Sequence, residues 1–386
     1  MGADLAGYGQ QTALFAPHIA RHYNLQISSF YGLEGAPAPW KGIPVLPGLG
    51  GTYGNEQIPM HAARHFGDHR GGLVVTLMDV WVLDTQMCRQ FNMASWVPVD
   101  HDPVPPKVAK FFRESGSVPI AMARFGQEML AEFDALYVPH AIDTSVYRPH
   151  DRAQAREEIG ADQHDFVVGI VAANKGNPSR KHLVASLQAF AEFQRTHENA
   201  RLYLHTDVEG SWSAGVPLLP VIKSLGIPDD ALRIAHPYAI HFEPYPPESM
   251  ALIYSAMDVL LCPSAGEGFG VPILEAQACG TPAIVTDFSA MSEVCGAGWK
   301  VPGARWWTPQ QSWQALPRVA DLVDALEDCY TLPSAKRVEL GERAREHALG
   351  YDVERVMVEH MLPALEAVQE RVAARPKPMR LKQVAA

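Results

Sequence analysis

Two glutamates separated by seven residues lie where an apolar run ends and a helical pattern begins. Glu267 stands in a glycine-containing loop, and Glu275 lies about one turn inside the next segment, which has Pro272 in its first turn, where proline is best tolerated. Free backbone N–H groups at a helix start, together with the helix dipole, favour a diphosphate. Because carboxylates accept hydrogen bonds from hydroxyl groups, the pair predicts a ligand with hydroxyls on both sides of a phosphate.

Three cations follow the first apolar strand of the second half of the chain, at Lys175, Arg180 and Lys181. Departure of a diphosphate develops negative charge, which fixed cations stabilise as the bond breaks. Lys175 and Lys181 are predicted to supply this charge, with Arg180 beside them in contact with the same ligand. The alternative interpretation is an ordinary solvated basic loop.

Polar side chains also follow two strand candidates in the first half of the chain. Asp100 and His101 come directly after residues 95–99, and Asp79 comes shortly after residues 73–77. In doubly wound folds the carboxyl ends of the parallel strands line the ligand crevice. We therefore expect these side chains to line that crevice from the first half of the chain. The strand register allows either His101 or Asp100 to face the ligand, and Asp79 could instead cap a helix.

The run from Pro263 to Pro282 resembles the glutamate, seven residues, glutamate signature of family 4 retaining glycosyltransferases, which have the GT-B fold. The resemblance is strong over residues 138–298 and looser upstream. It implies that Glu267 contacts the sugar of a nucleotide diphosphate sugar, such as a UDP or GDP sugar, and that Glu275 holds its ribose. It assigns backbone contacts with sugar and phosphate to Gly268, Phe269, Gly270 and Val271.

The resemblance extends to the other candidates. The family places a cation near Lys175 and an Arg-Lys pair at Arg180 and Lys181, although many members have arginine where this chain has Lys175, which weakens bidentate phosphate contact. His101 resembles the family histidine that contacts the donor sugar from the first domain, with Asp100 as the alternative. The segment with Gly7, Tyr8 and Gly9 resembles the first glycine loop, which approaches the donor phosphate or the acceptor.

Alternation of β-branched runs with amphipathic segments predicts an α/β chain with parallel sheets covered by helices. The fold class expected is GT-B, two doubly wound Rossmann-like domains facing an interdomain cleft. The predicted parts are an acceptor domain at 1–145, a nucleotide-sugar domain at 146–350, a helix at 351–373 that returns to the first domain, and a flexible basic tail at 374–386. The strands are predicted at 25–29, 43–46, 73–77, 95–99, 118–121, 136–138, 166–172, 201–206, 232–235, 259–262, 282–286 and 299–301.

The first domain is predicted to lack its first strand. In the doubly wound pattern a strand precedes the first glycine loop and lies centrally in the sheet. Only residues 1–6 precede Gly7, with one leucine among them, which is too few apolar residues for a buried parallel strand. We therefore expect that either the natural start lies upstream or another segment fills the slot.

Composition excludes several classes of function. The formal net charge of -11 argues against a nucleic-acid partner, and no apolar run approaches the roughly 20 residues of a transmembrane helix. The five cysteines are scattered, which predicts a reducing, cytoplasmic location with no disulfide framework and no zinc site. No Asp-x-Asp pair is placed to bridge a metal and phosphates, so neither a metal nor a cofactor is expected, the nucleotide sugar being a substrate.

The function expected is metal-independent hexosyl transfer, with retention of configuration, to an acceptor that can be a glycan, lipid, small molecule or protein. Two alternatives stay open within the fold: a catalytically silent binding module, and a nucleotide-sugar epimerase or phosphorylase. A hydrolase with paired carboxylates fits less well, because such enzymes need no diphosphate cradle. Trp306, Trp307 and Trp313 are interpreted as packing residues, with a sugar-stacking platform as the alternative.

Overall fold

The chain folds into two α/β domains, each built on a parallel sheet. The structure, a computed structural model, describes residues 7–29, 33–51, 53–211, 213–242 and 245–374. Its buried apolar side chains form three clusters, and the largest contains residues of both domains. None of the helices in the described ranges combines the length and apolar character that a bilayer span requires.

The first domain contains a four-stranded parallel sheet and a separate three-stranded sheet. Its strands are β1 (Ile27–Ser28), β2 (Ala38–Trp40), β3 (Ile43–Leu46), β4 (Leu73–Leu77), β5 (Asn92–Val97), β6 (Val118–Ala121) and β7 (Leu136–Tyr137). In the larger sheet the order is β4-β5-β6-β7, all parallel. In the smaller sheet β3 lies between β1 and β2, parallel to the first and antiparallel to the second.

Helices cover the larger sheet of the first domain. They are α1 (Gly7–Ile19), α2 (Gln57–Phe66), α3 (Thr85–Cys88), α4 (Pro106–Ser115) and α5 (Arg124–Met129), with 3₁₀ turns at Val80–Val82 and Ala131–Phe133. In α4, Pro106 occupies the first turn, and Val108, Phe111 and Phe112 are buried at helical spacing. The helix ends at Gly116, whose φ of 68° is a left-handed conformation that glycine adopts without steric strain.

The second domain is a doubly wound six-stranded parallel sheet. Its strands are β8 (Phe166–Val171), β9 (Ala200–His205), β10 (Leu232–Ile234), β11 (Val259–Cys262), β12 (Ala283–Thr286) and β13 (Gly298–Val301), in the order β10-β9-β8-β11-β12-β13. Every residue of β11 and β12 is buried, because helices lie on both faces of the sheet. From β8 the following strands β9 and β10 lie to one side and β11, β12 and β13 to the other, so the order of the strands reverses between β8 and β11, which is the place where such sheets bind ligands.

The helices of the second domain form a layer on each side of this sheet. They are α6 (Arg152–Glu158), α7 (Leu183–Gln194), α8 (Leu218–Leu225), α9 (Pro237–His241), α10 (Pro247–Ala256), α11 (Val271–Ala278), α12 (Ala290–Val294), α13 (Val319–Thr331) and α14 (Ser334–Leu349), with a 3₁₀ turn at Asp229–Ala231. One apolar cluster contains α7 and α13, which pack together. Another contains α10 and α11, and α11 packs against α14.

A β-hairpin that the sequence analysis did not predict joins the two domains. Its strands are β14 (Gly303–Trp307) and β15 (Trp313–Pro317), which pair antiparallel. Asp102, in the loop after β5, exchanges two backbone hydrogen bonds with Trp313, at 3.0 and 3.2 Å, and forms an ion pair with Arg305 at 2.5 Å. The hairpin therefore fastens the second domain to a first-domain loop that carries candidate site residues.

The final helical segment returns to the first domain. It consists of α15 (Val353–Val356), a π-helical turn (Met357–Met361) and α16 (Leu362–Ala373). Arg371 forms an ion pair with Asp134 at 2.8 Å, and the ring of His360 packs against Tyr137 with centroids 5.2 Å apart. The basic tail expected at 374–386 lies, from residue 375 onward, outside the described residues.

The predicted absence of a strand before Gly7 concerns residues 1–6, which lie outside the described residues, and it stays a prediction. Within the described ranges β4 pairs with β5 along one edge and has no strand along the other. Val75 in the middle of β4 is 43% exposed. The first domain thus has two sheets where the sequence pattern predicted one.

Candidate functional site

The carboxyl ends of the two main sheets meet, and the loops that leave them form a cleft. A Cβ atom added to Gly266 would lie 2.4 Å from the backbone oxygen of Asp100, and one added to Gly268 would lie 2.4 Å from Cβ of Pro98. Real side chains never approach so closely, so only glycine allows the second-domain loop to touch the first domain here. Gly268, to which the resemblance assigns a contact with the donor, and Gly266 therefore allow the opposite domain to approach the loop.

The loop after β11 ends at the N-terminus of α11. Gly270 has a φ of 100°, a conformation open to glycine, and Pro272 lies in the first turn. Phe269 is 3% exposed, with its ring packed against His140 and Tyr351, so only its backbone is available to a ligand. This geometry leaves the N–H groups at the start of α11 as the part of the loop suited to an anion.

Glu267 lies between two cations from the loop after β8. Its Oε1 is 2.5 Å from Nζ of Lys181, and its Oε2 is 2.9 Å from a guanidinium nitrogen of Arg180. Burial alone would raise the pKa of Glu267, but Arg180 and Lys181 outweigh it and lower that pKa from the ordinary 4.5 to about 2. The carboxylate is therefore ionised at neutral pH and can only accept hydrogen bonds.

The loop after β8 is anchored by an asparagine that the sequence analysis did not single out. Asn174 is 4% exposed, and its side-chain nitrogen donates to the backbone oxygens of Asp207 and Val216, both at 2.7 Å. Its side-chain oxygen accepts from the N–H of Val216 at 2.9 Å. Lys175 is exposed and directly follows this anchor, so its ammonium group stands on a fixed backbone.

Arg180 links the cationic loop to the glycine loop. Its guanidinium donates to the backbone oxygen of Gly266 at 2.6 Å as well as pairing with Glu267. Burial by itself lowers the pKa of Arg180, whereas Glu267 and Asp100 raise it, and the net effect is a raised pKa. Arg180, Lys181 and Glu267 therefore form one charged group at the meeting point of two loops.

Glu275 has a different environment from Glu267. It is 8% exposed, and its Oε2 accepts a hydrogen bond from the hydroxyl of Tyr254 at 2.8 Å. Burial raises the pKa of Glu275, and the hydroxyls of Tyr254 and Tyr147 oppose that rise only in part. The carboxylate has tyrosines and no cation beside it, so a ligand would compete for an oxygen that the protein already uses.

Asp100, rather than His101, can accept hydrogen bonds from a ligand in the cleft. His101 is 4% exposed, and both ring nitrogens have partners: Nδ1 meets Oδ1 of Asp100 at 2.6 Å, and Nε2 meets Oγ1 of Thr308 at 3.0 Å. The loop after β5 turns inward at His101 to meet the hairpin, which leaves Asp100 facing Arg180 and Glu267. Of the two registers left open by the sequence, the structure shows the one with the carboxylate in the cleft.

The glycine loop expected at the N-terminus is the first turn of a helix. Gly7, Tyr8 and Gly9 belong to α1, which corrects the sequence-based expectation. The hydroxyl of Tyr8 lies 3.5 Å from Oδ2 of Asp79.

Asp79 belongs to the same wall. It precedes the 3₁₀ turn Val80–Val82, and its side chain makes no capping hydrogen bond there, which removes the alternative of a helix cap. Burial raises the pKa of Asp79, Asp100 raises it further, and Arg180 and Lys175 act in the opposite direction. Tyr8, Asp79 and Asp100 thus face the cations of the second domain across the cleft.

Other chemistry-bearing residues lie elsewhere. The five cysteines are all buried and unpaired. No group of three or more His, Cys, Asp or Glu side chains in the described part of the chain is arranged to hold a metal ion. Trp307 and Trp313 pair across the hairpin with ring centroids 4.9 Å apart, and Trp307 is 51% exposed.

A protein-family model matches part of the second domain. Residues 237–347 match the family model described as glycosyl transferases group 1, and this stretch includes Glu267 and Glu275. A D-inositol 3-phosphate glycosyltransferase from Segniliparus rotundus is 30% identical over 190 residues, which is 49% of this chain and 39% of that protein. The chain therefore spans well under half the length of this curated relative.

Solved structures match nearly the whole chain at low sequence identity. Sucrose-phosphate synthase from Thermosynechococcus elongatus has a TM-score of 0.69 at 17% identity and covers 94% of this chain and 92% of its own. Anabaena HepE in complex with UDP-glucose has a TM-score of 0.66 at 14% identity, covering 97% and 98%. These neighbours have the GT-B fold, so the expectation of two Rossmann-like domains facing a cleft is confirmed.

Proposed function

We propose that this protein is a retaining, metal-independent glycosyltransferase that takes a hexose from a UDP or GDP sugar. The observation that carries the proposal is the convergence of Glu267, Arg180 and Lys181 at the N-terminus of α11, inside the stretch that matches the family model. A glycoside hydrolase needs no such diphosphate cradle. The HepE neighbour, whose structure holds UDP-glucose, supports a nucleotide sugar as donor.

The donor diphosphate would lie between the start of α11 and the cationic loop. The N–H groups of residues 268–271 and the helix dipole stabilise its charge, and Lys175 extends toward it from the loop anchored by Asn174. Arg180 and Lys181 are paired with Glu267 in the structure, and donor phosphates would share these cations. As the sugar–phosphate bond breaks, the fixed cations stabilise the developing charge, which is the reason for expecting no divalent metal.

The hydroxyls of the donor would be held by carboxylates. Glu267, ionised at neutral pH, accepts hydrogen bonds from sugar hydroxyls, and Asp100 does the same from the opposite wall. Glu275 would hold the ribose by accepting a hydrogen bond from a ribose hydroxyl at a lone pair that Tyr254 does not use. In this arrangement His101 is a positioning residue, because it touches Asp100 and Thr308 and no free ring nitrogen reaches the cleft.

Retention would follow from attack on the face that the nucleotide leaves. The acceptor hydroxyl loses its proton to an oxygen of the departing β-phosphate while its oxygen bonds to the anomeric carbon. The cations of the second domain keep that phosphate in place beside the reacting carbon during the exchange. No covalent nucleophile is required, and the first domain is left to bind the acceptor.

The first experiment is a melting-point panel with UDP, GDP, ADP and their sugars. A ligand that binds only the folded protein raises its melting point by mass action. We expect one nucleotide and its sugar to stand out, and Lys175→Ala to reduce the shift, whereas the charge-matched control Lys223→Ala, at an exposed position of helix α8, leaves it unchanged. A panel without any shift would contradict the donor assignment.

The second experiment identifies the reaction. Incubation with the selected nucleotide sugar, with and without EDTA, is followed by mass spectrometry and proton NMR of the products. A new glycoside with the donor's anomeric configuration, formed equally well with EDTA, is expected. A sugar isomer would indicate an epimerase, a sugar phosphate a phosphorylase, and no turnover a binding module; an inverted anomer, or activity restored only by magnesium or manganese, would refute the mechanism.

A further inference from the structure

The two walls of the cleft carry opposite charges. The second-domain wall carries Lys175 and Arg180, and the first-domain wall carries Tyr8, Asp79 and Asp100. Arg180, from across the cleft, opposes the raised pKa of Tyr8 and of Asp79 and lowers the pKa of Asp100, and Lys175 acts in the same direction on Asp79. Among the described residues, the lysine and arginine charges that act on these carboxylates therefore come from the second domain.

Asp100 is a fixed negative charge on this wall. Its Oδ1 meets the ring of His101 at 2.6 Å, and its Oδ2 accepts from the side-chain nitrogen of Gln314 at 3.1 Å. Gln314 is 3% exposed and belongs to the hairpin, so both carboxylate oxygens are oriented by buried partners. Burial raises the pKa of Asp100, but His101 and Arg180 outweigh it, and the net pKa is lowered.

Asp79 and Tyr8 extend the wall away from Asp100. Asp79 is close enough to Asp100 for the two carboxylates to repel each other, and Tyr8 lies 3.5 Å from Asp79. A phosphate or carboxylate brought to this surface would meet the same repulsion. Hydroxyl and ammonium groups would instead donate hydrogen bonds to these oxygens.

Once a donor is bound, the cations of the second domain do not offset the negative charge of the first-domain wall. In the proposed function Lys175, Arg180 and Lys181 neutralise the donor diphosphate, which carries its own negative charge. A second phosphate, on the acceptor, would then add charge to a cleft whose positive side chains are already engaged. The side chains of the first-domain wall then determine whether a charged acceptor is attracted or repelled.

We propose that the acceptor is a sugar or polyol hydroxyl compound without phosphate or carboxylate groups, either neutral or bearing an ammonium group, and that Asp79 and Asp100 select it. The proposal rests on the proposed function and deepens it by naming the acceptor class. It separates this chain from relatives named for D-inositol 3-phosphate, whose acceptor carries a phosphate by name. The similarity to those relatives would then lie in donor chemistry.

The test uses acceptor pairs that differ by one phosphate: myo-inositol with inositol 3-phosphate, and glycerol with glycerol 3-phosphate. The full chain is incubated with the nucleotide sugar selected by the melting-point panel, at high acceptor concentration. Nucleoside diphosphate release reports donor cleavage, and mass spectrometry reports the glycoside. The variants are Asp79→Asn, Asp100→Asn and the double variant, with Asp68→Asn as control, since Asp68 precedes β4 and so lies at the opposite end of that strand from Asp79, and asparagine keeps an oxygen for the N–H of Arg70.

We expect the unchanged chain to glycosylate a neutral member at least about tenfold faster than its phosphorylated partner. The ratio of the rate with the neutral acceptor to the rate with its phosphorylated partner should fall severalfold in each single variant and approach one in the double variant. In Asp68→Asn this ratio should not change. Equal or faster use of the phosphorylated member, or use of neither member of both pairs while the donor is cleaved, would overturn this inference alone. Absence of donor cleavage under all conditions would overturn the proposed function as well. The selectivity of the unchanged chain decides the matter even where a variant fails to fold.

Discussion

Glu267 and Glu275 belong to one motif, yet their surroundings shift their pKa values in opposite directions. Glu267 lies in a loop between Arg180 and Lys181, and its pKa is lowered to about 2. Glu275 lies one turn inside α11 against Tyr254, and burial raises its pKa. Both side chains are under a tenth exposed, so the difference comes from the partners and not from the depth of burial.

The comparison shows how one residue type can serve two tasks. A carboxylate between cations, such as Glu267, remains ionised and keeps its negative charge beside the phosphate site. A group that acts on the reacting sugar requires such a charge. A carboxylate beside tyrosine hydroxyls, such as Glu275, has a raised pKa and is suited to accepting a hydrogen bond from a ligand hydroxyl.

Glu267→Gln should reduce glycosyl transfer by about a hundredfold or more, the usual effect of removing one group that stabilises a transition state. Glutamine keeps the size of the side chain but loses the charge that Arg180 and Lys181 neutralise. Turnover of the selected donor measures the effect, and Glu198→Gln, at an exposed position, is the control. Turnover within a fewfold of the unchanged chain would remove Glu267 from the reacting centre.

Glu275→Ala should weaken nucleotide binding by roughly 1.5 to 3 kcal/mol, as expected for a hydrogen bond to a charged group. It should also destabilise the fold, because the buried hydroxyl of Tyr254 loses its acceptor. Calorimetric titration with the nucleotide and urea unfolding separate the two effects. Glu275→Gln keeps an acceptor for Tyr254 and should restore most of the stability; equal nucleotide affinity in all three proteins would contradict a ribose contact.

The two glutamates should give stability opposite dependences on pH. The lowered pKa of Glu267 contributes stability that is present above the unfolded value of about 4.5 and is lost as pH falls through about 2. The raised pKa of Glu275 contributes stability that is present below that unfolded value and is lost as pH rises through its folded pKa. The effect of Glu267 is on the order of 1 to 2 kcal/mol, since its partner Arg180 is partly solvated.

Urea unfolding at several pH values checks this expectation. Relative to the unchanged chain, Glu267→Gln should flatten the loss of stability on acidification, whereas Glu275→Gln should flatten the loss that begins above about pH 4.5. The same direction of change in both variants would show that the two environments do not differ as the structure indicates.

Lys175→Met should lower donor turnover by about tenfold or less, because a lysine contributes one point charge where an arginine would bind in a bidentate way. Lys175 is exposed, so the melting point of the unliganded protein should not change. Lys175→Arg should match or exceed the activity of the unchanged chain. A fall as large as that of Glu267→Gln would mean that the cations, and not the carboxylate, dominate the site.

Several strands of both domains could be predicted from local pattern. The bounds expected for β3, β4, β6 and β11 are those observed, because short apolar runs between turn residues have a clear signal. The hairpin β14–β15 and the strand β2 were missed. Their residues are mostly exposed or half-buried and are held by partners distant in sequence, such as Asp102, so no local periodicity marks them.

The sequence by itself determined the glycine loop, the helix that follows it and the cationic loop after β8. Each depends on neighbouring residues: glycines that open the backbone, Pro272 in a first turn, and cations within a few positions of each other. Tertiary structure decided which side chains face the cleft and in what charge state. Lys181 and Glu267 are 86 positions apart, and Gln314 and Asp100 are 214 apart. A pKa depends on the charges, hydrogen bonds and depth of burial that surround a group in space, and only the packing of the two domains brings these partners together.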